Sequence, residues 1–122
     1  SVIAVLNKIK PPYNINSITQ SIALQHLKKQ AQKNEWVKTI IAEREELKKE
    51  LVRLAIVEKV FPSDANFLLV KMNDAKNIYA QLIRDGIIVR DRSNVALCEQ
   101  CLRITVGTTR ENRQLLEALK RL

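Results

Sequence analysis

The sequence predicts an α+β fold, a small and mostly antiparallel sheet backed by helices on one face. Three observations carry this. The stretch Cys101-Leu102-Arg103-Ile104-Thr105-Val106 alternates, with Leu102, Ile104 and Val106 on one side and Arg103 and Thr105 on the other, the period of a half-buried strand. Asn66-Phe67-Leu68-Leu69-Val70 is nearly all apolar, so it belongs at the centre of the sheet, covered on much of both faces. Apolar residues recur at helical spacing before, between and after these strands.

Taken in order, Val2, Val5, Leu6 and Ile9 give a short helical pattern that opens the chain with no capping residue but Ser1, so the start reads as a cut end. Pro11-Pro12-Tyr13-Asn14 breaks it and forces an extended connector. Ser17 with Gln20 has the spacing of a capping box and predicts a helix to about Lys33. Asn34 caps a longer helix whose stripe runs through Trp36 or Val37, Ile40, Ile41, Arg44, Leu47, Leu51 and Leu54. Its charge run is a solvated face, with Glu45 and Lys49 one turn apart.

Val57 to Phe61 alternates as a strand, and Pro62-Ser63-Asp64 is a turn signal before the apolar strand. A helix follows from about Asp74, burying Ala75, Ile78, Tyr79, Leu82 and Ile83 and ending at Gly86. Ile87 to Arg90 is a short strand, and Asp91 to Gln100 a polar loop. After the alternating strand, Gly107 permits a sharp exit, and Thr108 stands three residues before Glu111 as a second capping box. The last helix runs from Thr109 to the end with Leu115, Leu116, Leu119 and Leu122 inward.

At 122 residues the chain can build one modest core. It has no apolar run of membrane-spanning length and no signal peptide, and two cysteines give no disulfide framework, so a reducing cytoplasm is expected. The net charge of +8 suits an anion binder. The basic residues are scattered, however, and 4% aromatics are too few for single-strand stacking platforms. Binding of nucleic-acid phosphates is therefore kept only as the alternative reading.

Cys98 and Cys101 form a C-x-x-C with no second pair and only His26 elsewhere, so they read as a loop cysteine and a buried strand cysteine. With two glycines far apart there is no phosphate-cradling loop. The notable pair is Arg90 and Arg103. If their strands are antiparallel neighbours, both guanidiniums approach one carboxylate or phosphate, which their planar forks suit. The plainer reading leaves one or both solvated, or paired with Asp91 or Glu99.

Four segments in this order and spacing, Pro12-Tyr13-Asn14-Ile15-Asn16, Phe61-Pro62-Ser63-Asp64-Ala65-Asn66-Phe67, Gly86-Ile87-Ile88-Val89-Arg90-Asp91 and Cys101-Leu102-Arg103-Ile104-Thr105-Val106-Gly107-Thr108, resemble the C-terminal part of the histidinol-phosphate aminotransferases. The resemblance spans essentially the whole chain and its last two motifs are specific. It implies a fold-type-I, pyridoxal-phosphate-dependent homodimer, the cofactor acting as electron sink. Such an enzyme moves an amino group between glutamate and imidazole-acetol phosphate in histidine biosynthesis.

On this resemblance residues 1–15 are a connecting segment tied to a missing large domain, and 16–122 are the C-terminal small domain. Arg103 resembles the residue that binds the glutamate carboxylate and lies by the substrate phosphate; Arg90 resembles the second phosphate ligand. Tyr13 and Asn14 correspond to a segment near the domain junction, and Asn66 to a residue lining the substrate side of the cleft. The Schiff-base lysine and the other cofactor-binding residues lie upstream of the region covered. The implied partners are the large domain, a second subunit and a small phosphorylated substrate. The chain alone is expected neither to hold pyridoxal phosphate nor to transaminate, and to expose apolar surface where the large domain docks.

Overall fold

The computed structural model describes residues 2–10 and 15–122. Tyr13 and Asn14 lie outside the described residues. The chain divides into two compact units, residues 1–35 and 36–122.

The first unit holds α1 (Val2–Ile9), α2 (Ser17–Leu27) and the first turns of α3 (Gln30–Val52). Neither α1 nor α2 has a buried residue, and Val2, Ile3, Ile18 and Leu24 are among their exposed apolar side chains. The cap of α2 is Asn16 rather than Ser17. Its amide oxygen accepts from Thr19 N–H at 2.8 Å, while the Gln20 amide donates to the Ile15 carbonyl. Asn and Ser cap about equally well, so the local sequence could not choose between them. The break between α2 and α3 falls at Lys28–Lys29, not at Asn34. There two tight bonds, Lys28 N to Gln25 O and Lys29 N to His26 O, close the end of α2 without glycine or proline.

The second unit is the α+β body. Strands β1 (Val57–Val60), β2 (Phe67–Met72), β3 (Arg90–Asp91) and β4 (Cys101–Thr105) form one sheet in the order β1-β2-β4-β3, every pair antiparallel. The helices α4 (Ala75–Arg84) and α5 (Thr109–Leu119) complete it. Leu68, Val70 and Met72 from β2 and Leu102 and Ile104 from β4 enter one core with Leu47 and Leu51 of α3, Ala75, Ile78 and Leu82 of α4, and Leu115, Ala118 and Leu119 of α5. One sheet face is thus covered by helices. On the other, Phe67, Leu69 and Lys71 are half-buried.

Several boundaries differ from the sequence reading. β2 extends to Met72, and the strand expected at Ile87–Arg90 is reduced to Arg90–Asp91. The cause is the end of α4. Gly86 takes φ +73°, its N–H bonds to Ile83 O, and Ile87 N–H bonds to Leu82 O at 2.8 Å. This is a Schellman closure, so Ile87 serves the helix rather than the sheet. Ile83 and Leu122 are exposed at 42% and 46%, because the stripes of α4 and α5 are narrower than expected and α5 stops at Leu119. Glu45 pairs with Arg44, so Lys49 takes Glu46 instead.

Candidate anion site on the open sheet face

The register puts the two arginines together. Arg90 of β3 stands directly opposite Arg103 of β4, and Arg103 directly opposite Leu69 of β2. Directly opposed residues share a face, with Cβ atoms about 4.5–5.5 Å apart. Leu102 and Ile104 are buried on the helix side, so this row lies on the open face. Arg90 is exposed and Arg103 half-buried.

Neither arginine has an acidic partner among the described residues. The Asp91 carboxylate accepts from Ser93 N–H at 2.8 Å, which holds it below the usual carboxylate range, and Glu99 accepts from Leu97 N–H. Both acids that could have neutralised the pair are engaged in their own turns. Arg103 Nε is sealed from solvent with no hydrogen-bond acceptor, and the guanidinium carbon lies 5.0 Å from the Phe67 ring centroid.

Other cations on this face have partners. Lys71 pairs with Glu58 at 3.1 Å, and Lys59 sits 4.8 Å over the Phe61 ring. Cys101 is buried and its thiol is pushed up, first by that burial and then by nearby Cys98. Among the described residues, no three His, Cys, Asp or Glu side chains gather as a metal site would require.

The supports come from across the second unit. Buried Arg44 donates from Nη1 to the Ala65 carbonyl at 3.1 Å, tying α3 to the loop before β2. Ser63 Oγ donates to Phe67 O at 2.6 Å and accepts from Ala65 N–H. Beyond β4, buried Asn112 grips Gly107 from both sides: Oδ1 accepts from Gly107 N–H at 2.9 Å and Nδ2 donates to Gly107 O. The same Nδ2 donates to Glu43 of α3 at 2.8 Å. Gly107 needs no left-handed backbone; it needs the missing side chain, because a Cβ there would lie 2.9 Å from Glu111 Cβ.

Asn66 is exposed just before β2, three residues from Leu69 and the arginine row, and its carbonyl accepts from Val106 N–H. A cleft of about 550 Å³ opens between Gly86–Val89, the end of β4 and the start of α5, and neither arginine lines it. The residues that sequence reasoning did not single out are Phe67, Ser63, Glu43 and Asn112. Only the Asn112 spacing from Gly107 left a local trace.

Part of the basic excess is held in ion pairs. Lys49 pairs with Glu46, Arg53 and Lys120 with Glu50, and Arg121 with Asp85. No observation favours a nucleic-acid interface. Among the described residues no helix is long and apolar enough to cross a membrane.

The profile of the aminotransferase class I and II family matches residues 1–119. The chain is 52% identical over 122 residues to the histidinol-phosphate aminotransferase of Flavobacterium psychrophilum, covering 100% of this chain and 35% of that protein. It is similar in structure to the histidinol-phosphate aminotransferase of Clostridium acetobutylicum, with TM-score 0.82 and 26% identity over 98% of this chain and 37% of that one. It is also similar to the enzyme of the same name from Sinorhizobium meliloti, solved in complex with pyridoxal-5'-phosphate, with TM-score 0.78 and 26% identity over 96% of this chain and 32% of that one. The chain therefore spans about a third of the length of the curated relatives it matches.

Proposed function

The chain belongs to the aminotransferase class I and II family, and from that premise we propose that it is the substrate-binding small domain of a histidinol-phosphate aminotransferase. The observation that carries the reading is the opposed pair Arg90 and Arg103 on an open sheet face, with no acidic partner among the described residues. Directly opposed like charges destabilise a sheet. A dianionic phosphate or a carboxylate would offset that repulsion and accept from both planar forks. Arg103, the stiffer and more buried of the two, takes the glutamate carboxylate and borders the phosphate of the other substrate. Arg90 takes the phosphate. Asn66 lines the substrate side in this reading, and Tyr13 and Asn14, outside the described residues, belong to a substrate-binding segment near the domain junction.

Pyridoxal phosphate would supply the electron sink of the reaction. The residues here do not build its site. The sequence has only Gly86 and Gly107, and the lysines of the arginine face, Lys59 and Lys71, are held on Phe61 and Glu58. Cofactor chemistry falls to the part of the relatives' length outside this chain, as does the rest of the cytoplasmic homodimer. Residues 1–15 connect to that part, and the apolar residues of α1 and α2 are where it docks. What this chain contributes is recognition: two guanidinium forks orient the anionic ends of the substrates, and no proton is moved by its own residues.

The test is a titration of the 122-residue chain with inorganic phosphate, followed by amide and guanidinium NMR. Arg90→Ala or Arg103→Ala should weaken binding by about 10- to 100-fold, the worth of one or two charge-assisted hydrogen bonds. Affinity unchanged in both variants would sink the reading. The chain alone should give no borohydride-stable, one-to-one pyridoxal phosphate adduct with turnover.

A further inference from the structure

We propose that Phe67 is the positioning residue for Arg103: its ring face holds the guanidinium by its Nε side and leaves the two terminal nitrogens turned toward an incoming anion. The inference rests on the reading of Arg90 and Arg103 as an anion site. Arg103 Nε is sealed from solvent and has no acceptor, and the guanidinium carbon lies 5.0 Å from the Phe67 ring centroid. A buried N–H without an acceptor is costly unless something electron-rich covers it. The negative face of an aromatic ring does so, and attracts the cation besides.

The sheet explains why Phe67 can do this. Phe67 pairs with Thr105 and Leu69 pairs with Arg103, so Phe67 is the diagonal neighbour of Arg103 on the open face. Diagonal neighbours lie within reach of aromatic and long side chains. The backbone of Phe67 is fixed in turn by Ser63 Oγ, which donates to its carbonyl at 2.6 Å. A carboxylate in the place of the ring would hold the guanidinium equally well but would neutralise it. A ring orients the fork without consuming the charge that an anionic substrate needs.

The experiment reads the Arg103 Nε–H resonance of the ligand-free chain, assigned through Arg103→Lys. A proton over a ring face is displaced upfield by the ring current. The displacement should collapse in Phe67→Leu and in Phe67→Met, which fill similar volume without a ring, and persist in Phe67→Tyr. Inorganic phosphate should bind about 3- to 10-fold more weakly to the Leu and Met variants and normally to the Tyr variant. An Nε–H shift that ignores the loss of the ring, or equal phosphate affinity in all four chains, overturns the role of Phe67 while Arg90→Ala still weakens binding. No phosphate binding by the unaltered chain overturns the anion site itself, and this inference with it.

Discussion

Arg90 and Arg103 oppose each other across β3 and β4, and a protein keeps such a pair at a cost of about 0.2–1 kcal/mol when nothing lies between them. Arg90→Leu should therefore leave the anion-free chain equally or more stable in urea unfolding. Added phosphate should raise the stability of the unaltered chain and not that of the variant. A variant that loses stability and still responds to phosphate would contradict the arrangement. The cysteines give a second residue-scale prediction. Cys101 is buried and its thiol is pushed up, so its folded form holds the proton more tightly than the unfolded chain does. Its contribution to stability is complete at neutral pH and fades as pH rises past the ordinary thiol range. Mild alkylation at neutral pH should modify half-buried Cys98 first, and peptide mapping should find Cys101 unmodified until the chain unfolds.

At the scale of the element, α5 is tied down at its first turn. Thr108 accepts from Glu111 N–H, and the Glu111 carboxylate accepts from Thr108 N–H at 2.7 Å, which holds that carboxyl below its usual range. A carboxyl lowered in the folded state stabilises above its unfolded pKa and stops doing so as pH falls through the folded value. Thr108→Ala should cost about 1 kcal/mol at neutral pH, and an acid titration of the variant should show a smaller loss than the parent. Gly107→Ala tests the same junction. A Cβ meeting Glu111 Cβ at 2.9 Å must displace the start of α5, at about 1–3 kcal/mol. Gly86→Ala meets open space, and its cost comes from φ +73° alone, about 1–2 kcal/mol.

At the scale of the molecule, the buried core belongs to residues 36–122, while α1 and α2 contain no buried residue. Deleting residues 1–29, up to the start of α3, should leave one cooperative unfolding transition and change its free energy by less than about 1 kcal/mol. Loss of cooperativity would show that the first unit supports the core. Leu102→Ala is the contrasting change. It removes a fully buried side chain from the centre of the sheet and should cost about 2–5 kcal/mol.

Patterns written in adjacent residues were legible in the sequence. The alternation of Cys101–Val106 fixed which side of β4 carries Arg103, the apolar run at 66–70 marked β2 as central, and the Thr108–Glu111 spacing named the cap of α5. Each depends on the period of a single element, which the chain sets by itself. Competition between equal local choices hid others: Asn16 against Ser17 as a cap, Ile87 as strand or as helix closure. Only the tertiary structure decided which residues from different strands meet. That Arg90 faces Arg103, that Phe67 lies diagonal to it, and that Asn112 reaches Glu43 all follow from cross-strand register and helix packing. Register is a property of pairs of segments, and a shift of one residue would turn every side chain of a strand to its other face.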